Sequence, residues 1–139
     1  MAAEISSESN RLSVTATQDG RNFLRLQVRA TLTAQQRSQA AVLAEGCQTR
    51  PPWLAPGAPA ILSCGHRPAS RSLNLRRGRN RIRLTMRVTQ TTYLRVPNGA
   101  GLGPFTQKTV ASPIDTAYVY VTIGGRQVFP RLLSVRPGS

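Results

Sequence analysis

Acidic side chains are scarce in this sequence. Its 139 residues include five Asp or Glu against 19 Lys or Arg, so the formal net charge at pH 7 is +14. This excess is larger than solubility requires, and it indicates a polyanionic partner or an anionic surface. His66 is the single histidine, and no Asp or Glu lies near it in the sequence. Without an acid–base pair at that position, we expect no enzymatic activity, no cofactor and no small-molecule substrate.

Long apolar runs are missing as well. No stretch approaches the roughly 18 apolar residues of a membrane span, and the first residues, MAAEISSESNR, lack the apolar segment of a signal peptide. We therefore expect a location in a virion or in the cytoplasm. A signal peptide removed before Met1 would instead make the protein secreted or periplasmic.

Cysteine is limited to Cys47 and Cys64, which flank a proline-rich stretch. A disulfide between them would contribute about 3 kcal/mol in the chain-entropy model, whereas free thiols are the default in a reducing cytosol. The sequence leaves both alternatives open. A zinc site that adds His66 is a third alternative, but it lacks the usual paired spacing and a fourth ligand, so we expect no metal.

Arginine is the residue that the sequence has in excess. Lys108 is the only lysine, so 18 of the 19 basic residues are arginine, and residues 46–114 contain eleven basic side chains and no Asp or Glu. The planar guanidinium group binds phosphate in a bidentate manner and stacks on bases, which favours nucleic acid as the partner. A GC-rich genome would explain arginine in place of lysine equally well, but it would not explain the missing carboxylates.

Apolar and polar residues alternate along most of the chain, as in β-strands. Residues 12–16 and 24–32 flank an Asp19-Gly20 turn, residues 116–123 and 126–135 flank Gly124-Gly125, and both pairs predict β-hairpins. Residues 82–96 form a run long enough to require a bend near residues 90–92. We predict a single, mainly all-β domain over residues 1–139, as an antiparallel β-sandwich or curved sheet of about seven or eight strands.

Two segments interrupt this alternation. Thr33 to Gln36 fits a capping box, the residues RSQAAVLAE that follow are good helix formers, and Gly46 can end a helix. The pattern predicts one short helix near residues 34–45. Residues 47–70 are predicted to be irregular because they are rich in proline. The predicted core comprises Leu24, Leu26, Val28, Leu84, Met86, Val119 and Val121.

Several arginines alternate with the apolar residues of the predicted strands. Because side chains on a strand point alternately to opposite sides, these arginines are predicted to share one face of a sheet. The face would contain Arg25, Arg29, Arg81, Arg83 and Arg87, with Arg76, Arg77 and Arg79 at its rim. Tyr93, Tyr118 and Tyr120 are candidates for stacking on bases, although a strand tyrosine more often packs against its neighbours.

These features favour a structural, self-associating β protein of the viral coat or virion class. It would hold nucleic acid, with RNA as the expected form, through the arginines and without sequence specificity. Its other partners would be copies of itself. The alternative is an extracytoplasmic β-sandwich module that binds protein, an anionic glycan or a membrane surface, with Cys47 and Cys64 as its disulfide.

Overall fold

The computed structural model describes residues 2–49, 63–64, 68–97 and 105–138. These residues form eleven strands and no helix, and nine of the strands have three or more residues. The strands are β1 Ala3–Ser7, β2 Asn10–Gln18, β3 Phe23–Ala34, β4 Ser38–Gln48, β5 Ser63–Cys64, β6 Ala69–Leu75, β7 Gly78–Pro97, β8 Phe105–Ser112, β9 Thr116–Ile123, β10 Arg126–Gln127 and β11 Leu133–Val135.

Two antiparallel sheets pack together as a β-sandwich, which confirms the predicted fold class, although the nine longer strands exceed the seven or eight predicted. The first sheet has the strand order β1-β2-β3-β7-β8. The second has the order β10-β9-β4-β5, with β6 also paired to β4 and β11 also paired to β9. The first predicted hairpin is present as β2–β3. The second is present as β9–β10, where Gly124 and Gly125 adopt the positive φ angles that such a tight turn requires, but its predicted second strand is divided into β10 and β11.

The core lies between the sheets and follows the alternation of the sequence. Every second residue of β2 and β3 points inward, and the same holds for β4 and β9 in the facing sheet. Leu12, Leu26, Val42 and Val121 are completely buried there. Of the seven residues predicted for the core, six are buried, but Leu84 is only partly buried at the margin of the cluster.

The helix predicted near residues 34–45 is wrong. Residues 35–37 form a short connection from the first sheet to the second, and β4 then pairs with β6 on one side and β9 on the other. Ala40, Val42 and Ala44 face the core, so the segment has the period of a strand. Two neighbouring strands thus override the helix propensity of alanine, leucine, glutamine and glutamate, which is a weak preference per residue.

Gly46 does not end a helix but allows β4 to approach β7 closely. A Cβ atom at Gly46 would lie 3.0 Å from Cδ1 of Ile114 and 3.1 Å from the carbonyl carbon and oxygen of Thr89. At this point β7 changes partner, because Thr89 pairs with Phe23 of β3 and Gln90 pairs with Ser112 of β8. The change lies where the sequence predicts a bend.

The stretch at residues 47–70, which the sequence predicts to be irregular, contains parts of three strands. Cys47 and Gln48 end β4, Ser63 and Cys64 form β5, and β6 begins at Ala69. Residues 50–62 and 65–67, which include most of the proline-rich segment and His66, lie outside the described residues.

Candidate functional site

The predicted arginines lie together on the outer side of the first sheet. Arg25 is directly opposite Arg87, Arg29 is directly opposite Arg83, and Arg81 is opposite Thr31. All five side chains are exposed, while the residues that alternate with them in β3 are buried. The register therefore confirms that they share one face. We call the outward-facing residues of β2, β3 and β7 the arginine face, and its binding of nucleic acid stays a prediction.

The structure adds Arg11 to the predicted arginine face and places Arg79 at its end. Arg11 of β2, which the sequence analysis missed, lies opposite Thr31, the residue that Arg81 of β7 faces from the other side. Arg79 lies at the end of the face, in register with Thr33. The signal for Arg11 was its alternation with the buried Leu12.

Arg76 and Arg77, which the sequence predicts at the rim, lie just before β7 and outside the strands of the arginine face. They form the turn between β6 and β7, where the chain passes from the second sheet to the first. Asn80 fixes this turn: its side-chain oxygen accepts from the backbone N–H of Arg76 at 3.0 Å, and its amide nitrogen donates to the carbonyls of Arg76 and Gly78 at 2.9 and 3.1 Å.

One cross-strand arginine pair has a carboxylate partner. Asp19, in the turn before β3, lies 3.3 Å from Nε of Arg87 and 3.9 Å from Nη2 of Arg25. The guanidinium carbon of Arg87 also lies 3.9 Å from the ring centroid of Phe23, in a cation–π contact. This end of the face is therefore electrostatically compensated, and it supplies an aromatic ring that the sequence analysis did not assign.

The other cross-strand pair has no such partner. No ion pair joins Arg11, Arg29, Arg81 or Arg83 to a carboxylate within the part of the chain that the structure describes. These four arginines line an open depression of about 490 Å³, together with Glu4. Like charges that stand directly opposite each other on neighbouring strands destabilise a sheet. The depression is consequently a concentrated positive site that an anion would stabilise.

Tyr118 and Tyr120 cannot stack on a base held at the arginine face. Both belong to β9 in the second sheet, where Tyr118 pairs with Glu45 and Tyr120 with Leu43. Burial, and to a smaller extent the nearby negative charge of Glu45, raise the pKa of the Tyr120 hydroxyl. The side chain of Tyr93 lies outside the described residues. Phe23 is thus the described aromatic residue that accompanies the arginines.

Cys47 and Cys64 form a disulfide, which decides between the alternatives that the sequence left open. They face each other in the register of β4 and β5, with their Cα atoms 4.1 Å apart. Asp115 fastens the chain just beyond this bond, because its carboxylate accepts hydrogen bonds from the backbone N–H of Thr49 at 3.1 Å and from the Thr49 hydroxyl at 2.9 Å. The two contacts hold Thr49, the residue that follows β4.

The same region contains the ligand atoms from which a metal site could be built. Atoms of Glu45, Cys47 and Cys64 lie within 4.8 Å of one another. The two sulfurs are bonded to each other, so the group offers one carboxylate rather than the deprotonated thiolates that zinc prefers. The alternative zinc site required His66, which lies outside the described residues.

Comparison with known proteins finds no family model and no curated protein that matches this chain. Among the described residues, no helix is long and apolar enough to cross a membrane.

Proposed function

We propose that this is a structural β protein that self-associates and holds nucleic acid, chiefly RNA, without sequence specificity through the arginine face. The observation that carries the proposal is the directly opposed pair Arg29 and Arg83, which has no carboxylate partner among the described residues. Arg11 and Arg81 add two further positive charges to the same depression. Four guanidinium groups around one depression are suited to phosphate oxygens.

Phosphate contacts account for the expected lack of sequence specificity. Contacts to phosphate position a protein on nucleic acid, whereas contacts to base edges read the sequence. The arginine face lies on a sheet and supplies guanidinium groups with the short polar side chains of Ser13 and Thr31 between them. Binding would be driven by the release of counterions from the nucleic acid, and it would weaken as the salt concentration rises.

Binding of nucleic acid without sequence specificity is a requirement of a coat or virion protein. A coat protein must cover nucleic acid of any sequence and associate with copies of itself, and a small β-sandwich with one positively charged side meets both needs. The support is the size, the fold and the grouping of seven arginines on the outer side of the first sheet. We propose no catalytic role.

The disulfide favours a second candidate, an extracytoplasmic β-sandwich that binds a protein or an anionic glycan. Disulfides persist mainly in oxidising compartments, such as the periplasm, the cell exterior and virion surfaces. The Cys47–Cys64 bond is compatible with secretion and also with a released virion. Sulfate groups of a glycan would engage the same arginines, so the two candidates differ in the preferred polyanion.

Fluorescence anisotropy with labelled oligonucleotides tests the proposal. Two single-stranded RNAs of unrelated sequence should bind with equal affinity, and the triple variant R29Q/R81Q/R83Q should bind at least tenfold more weakly. The matched control is R21Q/R126Q/R136Q, which removes the same charge from exposed positions outside the arginine face.

Two results would contradict the proposal. Equal loss of affinity in the test and control variants would mean that net charge, rather than the arginine face, governs binding. Displacement of RNA by a sulfated glycan at a far lower concentration than by unlabelled RNA would favour the extracytoplasmic candidate.

A further inference from the structure

The outer side of the second sheet differs sharply from the arginine face. Its outward-facing residues are small, aromatic or uncharged: Ala41 and Leu43 of β4, Ser72 of β6, and Tyr118, Tyr120 and Thr122 of β9. All but Ser72 are half-buried, and Ser72 is exposed. We call this surface the neutral face.

The neutral face has one charged residue near one end. Glu45 pairs with Tyr118 in the register between β4 and β9. No lysine or arginine points outward from β4, β6 or β9 between this end and the opposite one. Arg37 and Arg76 stand just beyond the opposite end, where they line a depression with Gln39.

We propose that a second copy of this chain packs on the neutral face. Two molecules that each carry a net charge of +14 repel each other, so their arginine faces cannot meet without a polyanion between them. The neutral face lets two copies approach with little local repulsion. Interfaces are also enriched in tyrosine and depleted of charge at their centre, as this surface is. The inference deepens the proposed self-association and does not depend on nucleic-acid binding.

The dimensions of the neutral face set the strength of the contact. Its three neighbouring strands at about 4.8 Å spacing and about seven residues at 3.4 Å each give roughly 340 Å² per copy. A standard stable interface buries about 800 Å² per partner, so this contact belongs to the weak, reversible class. A weak contact between copies suits an assembly in which many such contacts act together.

The charges at its two ends favour one arrangement of the copies. Consider a two-fold axis that lies between the two neutral faces, parallel to the sheets and perpendicular to the strands, and passes over Ala41. It places residue 45 of one copy over residue 37 of the other. Glu45 would then face the Arg37 and Arg76 end of the second copy, twice in each dimer. Such an interface is self-complementary and closed, as two-fold dimers are.

Sedimentation velocity on the nuclease-treated full chain tests the inference. The weight-average sedimentation coefficient should increase with protein concentration, and more so at about 0.5 M than at about 0.05 M salt, because salt screens the repulsion between copies. Affinity for RNA must change in the opposite direction. The opposite salt dependences therefore distinguish self-association through the neutral face from bridging by residual nucleic acid.

Matched variants locate the contact. Leu43→Lys should shift the dissociation constant of the dimer at least tenfold upward, whereas Thr85→Lys adds the same charge on the arginine face and should leave it unchanged. Glu45→Arg should also weaken the dimer, and adding Arg37→Glu should restore it. Circular dichroism of each variant confirms the fold.

A wild-type chain that stays monomeric at high protein and salt concentrations would overturn the inference. Equal self-association of the wild type and Leu43→Lys would also overturn it, because the contact would lie elsewhere. A short RNA that accommodates one copy should bind Leu43→Lys as it binds the wild type. Failure of RNA binding would therefore contradict the proposed function without affecting this test.

Discussion

Replacement of Gly46 by alanine tests the packing of β4 against β7. The added methyl group would lie 3.0 Å from Cδ1 of Ile114 and 3.1 Å from the carbonyl carbon and oxygen of Thr89. The end of the isoleucine side chain can rotate away, but the Thr89 carbonyl belongs to the backbone of a strand. Overpacking of this kind costs about 1–3 kcal/mol.

A smaller loss of conformational entropy on folding partly offsets this cost. Alanine loses less conformational entropy on folding than glycine, which stabilises the variant by about 0.4–1 kcal/mol. The net expectation is a loss of about 1–2 kcal/mol, or a decrease in Tm of about 3–8 °C for a domain of this size. Thermal unfolding followed by circular dichroism measures it.

Gly138→Ala is the matched control. A methyl group at Gly138 would meet only the Ala16 carbonyl oxygen, at 4.0 Å, which is an ordinary contact. Its Tm should change little or increase. A Tm for Gly46→Ala equal to or above that of the wild type would refute the close approach of β4 to β7.

Three further changes test the core, the disulfide and the arginine face. Leu26→Ala, at a completely buried site, should lower the free energy of unfolding by about 2–5 kcal/mol in denaturant titrations. Leu84→Ala, at a partly exposed site, should lower it by less, and equal losses would contradict the partial burial of Leu84. Reducing the Cys47–Cys64 disulfide should lower it by about 3 kcal/mol, and an unchanged value in reductant would show that the bond adds no stability. Asp19→Asn should strengthen RNA binding at low salt by releasing two arginines, and weaker binding would contradict the compensating role of Asp19.

The alternation of residues explains why most of the fold could be predicted. A strand with one buried face has a period of two, and β2, β3 and β9 show it clearly in sequence. Strand β4 does not show this period in sequence, because Ala41 and Leu43 on its outer side make its apolar residues nearly continuous. Such a run is ambiguous between a helix and a central strand, and only pairing with β6 and β9 decides it.

The same alternation predicts most of the arginine face, but that prediction is incomplete. Alternation alone assigns Arg25, Arg29 and Arg83 to one side of their strands, and it would have assigned Arg11 too. It does not say which arginines have a carboxylate partner. The contact of Arg87 with Asp19 arises from the turn that begins β3, so the separation of the face into a compensated and an uncompensated end required the structure.

The dependence of RNA affinity on salt concentration shows whether the arginine face binds phosphate. The slope of log affinity against log salt concentration measures the number of neutralised phosphates, at about 0.7 per contact for single strands. If the uncompensated arginines bind phosphate, R29Q/R81Q/R83Q should reduce the magnitude of the slope by about two, while R21Q/R126Q/R136Q should leave it at the wild-type value. Equal slopes for the wild type and R29Q/R81Q/R83Q would place the polyanion elsewhere and contradict the account.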